Sequence, residues 1–132
     1  MGFLDFFSGK PRRFVSERGF EENLALQLEM TPMTVQQIHK LGVSPEQKLK
    51  LEFVFYTNTP EKAEALAARL QAFGYEVDFG VAEVDQKQMV VTGWTRPMLM
   101  SHPVVLAWTR KMCEVGFAND CGFDGWGAGS PR

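Results

Sequence analysis

A chain of 132 residues is long enough for one domain of ordinary size. Hydrophobic residues make up 45% of it and charged residues 23%, a balance typical of globular proteins. The formal net charge of −2 argues against a nucleic-acid-binding protein, which usually carries a strong basic excess on one face. No apolar run approaches the ~18 residues of a membrane span, so we expect no transmembrane segment.

Residues 1–19 show no hydrophobic period and are rich in Gly, Pro, Ser and Arg, which predicts a mobile arm. The apolar tip at residues 3–7 lies close to Arg12 and Arg13, so the arm could contact a partner or, weakly, a membrane surface. The interpretation we favour is that it folds back over the domain, because one helical turn binds membranes poorly. A single domain is then expected over residues 20–127, with a loose tail at 128–132.

Residues 20–42 have a helical pattern that ends at Gly42, and two starts for its second part are possible. Thr31 followed by Pro32 is a favourable N-terminal pair for a new helix. Thr34 and Gln37 could instead form a capping box. The sequence therefore predicts N-terminal helices without deciding where the second begins.

From residue 48 onward, strand and helix patterns alternate. Apolar residues at every second position predict strands over 48–57, 75–82 and 89–95, and the polar turn at 85–87 makes the last two a hairpin. Helical spacing predicts a helix from Pro60 to Gly74 and another from Ser101 to Gly116. A fourth strand is expected between Phe117 and Trp126.

This order, β-α-β-β-α-β, is typical of a ferredoxin-like α+β sandwich, in which a four-stranded antiparallel sheet packs against two helices. The first two strands are joined through a helix, so they should run parallel to each other. The N-terminal helices must then either add to an edge or cover the second face of the sheet.

The ending Phe123-Asp124-Gly125-Trp126-Gly127 resembles the aromatic-Asp-Gly-Trp-Gly signature of the regulator of ribonuclease activity B family. Further similarity runs from Lys40-Leu41-Gly42 through Phe55-Tyr56 to Phe73-Gly74-Tyr75-Glu76-Val77, within residues 36–127. The resemblance implies a ferredoxin-like fold and inhibition of an endoribonuclease by protein contact, with no catalysis. The chain departs from the founding type, which is strongly acidic with an acidic tail, since it ends in Ser130-Pro131-Arg132.

The candidate partner-binding residues are Asp124, Gly125, Trp126, Gly127 and Tyr56. Trp126 could anchor a protein interface, as exposed tryptophans often do. The structural alternative is that Trp126 closes the end of the sheet and that the glycines serve a turn, which is the more common use of such residues. Tyr56 and Trp94 could also stack single-stranded RNA, although the charge argues against it.

No pattern of residues predicts an enzyme, a cofactor or a metal. His39, His102, Cys113 and Cys121 are the soft-ligand candidates, and none has the paired spacing of a metal site. Two cysteines do not form a disulfide framework, which favours a cytoplasmic protein. The function expected is therefore a non-catalytic, protein-binding regulator, the alternative being an RNA-binding or self-associating domain on the same scaffold.

Overall fold

A computed structural model describes residues 13–129 as three helices and two antiparallel sheets. In chain order the elements are α1 (Glu17–Lys40), β1 (Lys48–Leu49), β2 (Leu51–Thr57), α2 (Pro60–Ala72), β3 (Glu76–Val81), β4 (Met89–Trp94), β5 (Met98–Leu99), α3 (His102–Ala118) and β6 (Gly122–Ala128). Of the arm predicted over residues 1–19, positions 1–12 lie outside the described residues, and so do positions 130–132 of the tail predicted over 128–132. Within the described residues, α1 begins at Glu17 and β6 extends to Ala128.

The main sheet has the strand order β3-β4-β2-β6. Both β2 and β3 pair antiparallel with β4, so they run parallel to each other with β4 between them. Since α2 connects them, this is the split β-α-β arrangement of a ferredoxin-like sandwich. The predicted α+β fold class is confirmed.

The core lies between one face of this sheet and helices α2 and α3. Phe53 and Phe55 of β2 are fully buried there, against Leu66 and Leu70 of α2 and Met112 of α3. The predicted start of α2 is correct: Thr59 accepts a hydrogen bond from the Lys62 N–H, and Pro60 takes the first helical position. Burial of its apolar stripe, rather than helix propensity alone, holds α2 on the sheet.

The prediction of a new helix start near Thr31 is wrong, because α1 is one continuous helix with Pro32 inside it. Thr31 and Val35 are buried on either side of the proline, so tertiary packing keeps the helix intact despite the lost amide donor. The Thr31 hydroxyl does not cap a helix but shares a hydrogen bond of 2.9 Å with the Thr109 hydroxyl of α3. Helix α1 packs on α3 and reaches β6.

The structure differs from the sequence predictions in two other places, at α3 and β6 and at strands β1 and β5. Helix α3 continues past Gly116 to Ala118, and the last strand begins at Gly122 rather than near Phe117. Gly116 does not end the helix, and its missing side chain leaves room for the Phe55 ring, because a Cβ atom there would lie 2.8 Å from Phe55 Cε2. The single strand predicted over 48–57 is divided at Lys50, and its first two residues, β1, pair with β5 in a separate small sheet. Strand β5 has two residues and is too short to give a periodic signal.

Candidate functional site: the open sheet face

The second face of the main sheet carries no helix within residues 13–129. Pairing registers bring four short rows of side chains onto it. We call it the open sheet face, and its members are Glu52, Val54 and Tyr56 of β2, Glu76, Asp78 and Gly80 of β3, Val90, Thr92 and Trp94 of β4, and Gly122, Gly125 and Gly127 of β6. All of them are exposed or partly exposed. The N-terminal helix could have covered this face, but it packs beside α3 instead.

On the β6 side, the open sheet face is flat because it is formed by Gly122, Gly125 and Gly127, and we call this strip the glycine lane. A Cβ atom built on Gly125 or Gly127 would meet no atom within 4 Å, so both positions border open space. At one end of the lane the ring of Trp94 lies against Gly129, where a Cβ would be 3.0 Å from Cζ3. Tyr56 lies opposite Gly122 at the other end. An extended segment of a partner could approach the backbone closely along this lane.

The charge of the open sheet face is negative. Glu52, Glu76 and Asp78 contribute carboxylates, and Asp124 adds an exposed one at the rim. Lys50 compensates part of this charge, since its Nζ lies 2.7 Å from the Glu76 Oε1. Such a surface favours a basic partner and repels phosphate groups.

The structure separates the sequence-predicted site residues into two groups. Tyr56, Gly125 and Gly127 share the open sheet face, and Asp124 is exposed at its rim. Trp126 lies on the opposite, helix side: it pairs with Phe53, contacts Trp108 edge-to-face at 6.1 Å, and donates from Nε1 to the Thr31 hydroxyl at 3.1 Å.

A β-bulge causes this separation. The β2–β6 register shifts between Val54 and Phe55, where Asp124 is the extra residue. One extra residue reverses which face the following side chains occupy. The bulge therefore turns Trp126 toward the helices and Gly125 and Gly127 toward solvent.

Helix α1 seals the free edge of β6 at the bulge, a contact that sequence reasoning missed. Asn23 Nδ2 donates to the Phe123 carbonyl at 2.8 Å, and Gln27 Nε2 donates to the Asp124 carbonyl at 3.2 Å. Covering an edge strand in this way prevents unwanted strand pairing. The available signal was the polar line Asn23, Gln27, Thr31, spaced four residues apart on a helix face that is otherwise apolar.

Asp120 anchors the segment before α1 beside the open sheet face. Its carboxylate accepts hydrogen bonds from the Phe14 N–H at 2.7 Å and the Val15 N–H at 2.8 Å, and Lys62 Nζ lies 2.6 Å away. Burial alone would raise the pKa of Asp120, but the hydrogen bonds from Lys62 and the two N–H groups outweigh it and lower the pKa. Phe14 and Val15 thereby form one wall of a groove of about 390 Å³ whose lining also includes Tyr56 and Gly122.

The soft-ligand candidates are dispersed. The rings of His39 and His102 are 5.5 Å apart, and within residues 13–129 no three His, Cys, Asp or Glu side chains are arranged to hold a metal ion. Cys113 and Cys121 are free and buried, and burial raises the pKa of each thiol to about 11. Both thiols are therefore almost fully protonated near neutral pH and poorly reactive. None of the helices in the described part of the chain combines the length and hydropathy needed to cross a membrane.

A family model described as regulator of ribonuclease activity B matches residues 28–128. The match begins within α1 and ends with β6, so it contains every residue of the open sheet face but not Asn23, Gln27 or the segment that Asp120 anchors. A search of the curated proteins finds no match.

Proposed function

The chain belongs to the regulator of ribonuclease activity B family, and we propose that it regulates an RNA-processing endoribonuclease by binding it, without catalysing a reaction itself. The observation that carries the proposal is the open sheet face, which combines aromatic, aliphatic and acidic groups and is left uncovered within residues 13–129. The cytoplasmic location expected from the cysteine content stays a prediction.

The size of the face indicates what kind of contact it could make. Four strands of about six residues span roughly 20 Å by 20 Å, or about 400 Å². A stable protein interface needs about 800 Å² on each partner, so the face alone would supply half. The groove beside Phe14 and Val15 and the exposed rim at Asp124 adjoin it and could supply more. The surface therefore suits a partner that lays an extended segment across the sheet and also contacts the adjoining groove.

The chemistry of that segment follows from the charges and the glycine lane. Basic side chains would pair with Glu52 and Asp78, and apolar side chains would pack on Val54, Val90 and Tyr56. The same acids oppose single-stranded RNA. In addition, Trp94 and Tyr56 are too far apart for adjacent bases to stack on both rings. Trp94 pairs with Glu52, which lies four residues, or about 13 Å, from Tyr56 along β2. Regulation by occupying a basic surface of the ribonuclease is the mechanism that fits these features.

Val54→Lys is expected to reduce capture of the ribonuclease at least tenfold, because it places a cation in the apolar centre of the face. Ala68→Lys is the matched control, since Ala68 is exposed on α2, which packs on the other side of the sheet. Immobilised full-length protein should recover an RNA-cleaving enzyme from a lysate of the source organism and should slow its cleavage of a labelled RNA. The Ala68→Lys variant should do the same.

Three outcomes would count against the proposal. One is that no RNA-cleaving enzyme is recovered by the wild-type chain. Another is that Val54→Lys captures it as well as Ala68→Lys does. The third is direct, salt-sensitive binding of a labelled single-stranded RNA that Tyr56→Ala abolishes, which would favour the RNA-binding alternative.

A further inference from the structure

Helix α1 carries a second apolar stripe that the described fold does not bury. Leu26 is 50% exposed, Met30 47% and Met33 64%, at positions i, i+4 and i+7 of the helix. Leu41, the C-cap residue directly after the helix, lies on the same side beyond the exposed polar Gln37 and is 84% exposed. Large apolar side chains in such a row on one helix face are typical of an interaction surface, whereas single exposed ones are common.

The stripe is distinct from the face that docks α1 on the rest of the protein. At 100° per residue, the stripe lies roughly 120° around the helix from the buried positions Gln27, Thr31, Val35 and Ile38. Beside Leu41 it borders an apolar groove of about 260 Å³ that Ile38, Val43 and Leu49 help to line. Methionines suit such a surface because their flexible side chains adapt to the shape that packs against them.

One acidic and one basic residue beside the stripe are placed symmetrically about its centre, whereas the exposed Glu29 on the same flank has no basic residue at its symmetric position. Glu22 and Lys40 lie on the same flank of the stripe and are exposed. Glu22 and Lys40 are equally distant in sequence from Thr31, one before it and the other after it. The midpoint between Met30 and Met33 also lies next to Thr31. A two-fold axis through this point would therefore match acid with base and methionine with methionine in one register.

From this symmetry we propose that two copies of the chain associate through α1, with the two helices antiparallel. Met30 of one copy packs against Met33 of the second copy at the centre. Glu22 of each copy faces Lys40 of the other, and the two helix dipoles point in opposite directions. Apolar burial supplies most of the affinity, because exposed ion pairs contribute little, and the two ion pairs set the register and direction.

This inference rests on the exposed stripe of α1 and on no residue of the open sheet face. Failure of dimerisation would therefore leave the ribonuclease proposal standing, and the reverse holds as well.

Sedimentation of the full-length chain over a range of concentrations tests the association. The wild-type mass should rise toward that of two copies. Met33→Glu should weaken association at least tenfold, while Ala68→Glu, an exposed position on α2, should leave it unchanged. Circular dichroism should show that both variants keep the wild-type fold, since both positions are exposed. A wild-type chain that stays monomeric, or a Met33→Glu variant that associates normally, overturns the proposal.

A charge exchange tests the antiparallel register. Glu22→Lys alone and Lys40→Glu alone each place like charges together and should weaken association. The double variant restores opposite charges and should associate like the wild type. If both single variants weaken association and the double variant does not recover it, the proposed pairing of the helices is wrong.

Discussion

Replacing Gly93 with alanine is expected to lower the free energy of unfolding by about 3 kcal/mol or more, or to prevent folding. Gly93 is the penultimate residue of β4 and pairs with Phe53 of β2 on one side and Val77 of β3 on the other. A Cβ atom there would overlap the main-chain carbonyl oxygen of Glu76 and come within 2.7 Å of the Phe53 Cζ. Neither neighbour can move away easily, because the carbonyl belongs to a paired strand and the Phe53 ring is fully buried.

Gly80→Ala is the matched control for this prediction. Gly80 is on the neighbouring strand β3, its added Cβ would meet no atom within 4 Å, and its backbone does not require a glycine. Its substitution should change stability by no more than about 0.5 kcal/mol. Urea unfolding followed by circular dichroism measures both variants. Equal stabilities would mean that the close packing of β3, β4 and β2 described here is wrong.

Asp120→Ala is expected to destabilise the fold by about 3–5 kcal/mol at neutral pH. It removes the acceptor for two main-chain N–H groups and the carboxylate beside Lys62. Asp120 also has a φ of 57°, a left-handed conformation that alanine adopts less readily than aspartate or asparagine. Asp120→Asn separates these effects: it tolerates the conformation but lacks the charge, so we expect a loss of about 2–3 kcal/mol.

The stability difference between the wild type and Asp120→Asn should depend on pH. Although burial would raise the pKa of Asp120, its hydrogen bonds lower it in the folded state. A carboxyl group with a lowered pKa contributes its full stability above the unfolded pKa of about 3.9, and this contribution is lost as the pH falls through the folded value. The stability gap between the wild type and Asp120→Asn should therefore be constant near pH 7 and shrink below about pH 4. A gap that grows on acidification would contradict the anchoring role of the ionised carboxylate.

Strand β2 and helix α2 could be recognised from sequence, because the local pattern and the tertiary burial agree there. Apolar residues alternate in β2, and α2 has an N-terminal cap and one apolar face. The continuity of α1 through Pro32 could not, since it depends on contacts with α3 that are distant in sequence. The same holds for Asp120, whose partners Phe14 and Val15 are more than 100 residues away.

In the candidate site, the sequence pattern alone would assign side chains to the wrong face of the sheet. An uninterrupted strand that buries Phe123 would turn Trp126 outward and Gly125 and Gly127 inward. The bulge at Asp124 reverses that assignment, and nothing in the local pattern reveals it. The residues Asp124 to Gly127 were thus recognisable as a group, but their division between the core and the open sheet face required the pairing register.

Oxidative footprinting of the complex tests most directly whether the open sheet face is the binding surface. Hydroxyl radicals would be applied to the wild-type chain alone and to its complex with the captured ribonuclease. Tyr56 and Trp94 should be oxidised several times more slowly in the complex. Phe79 should keep its rate, because it is exposed on the opposite side of the same sheet. Unchanged oxidation of Tyr56 and Trp94 in a complex that has formed would contradict the assignment of this face to partner binding.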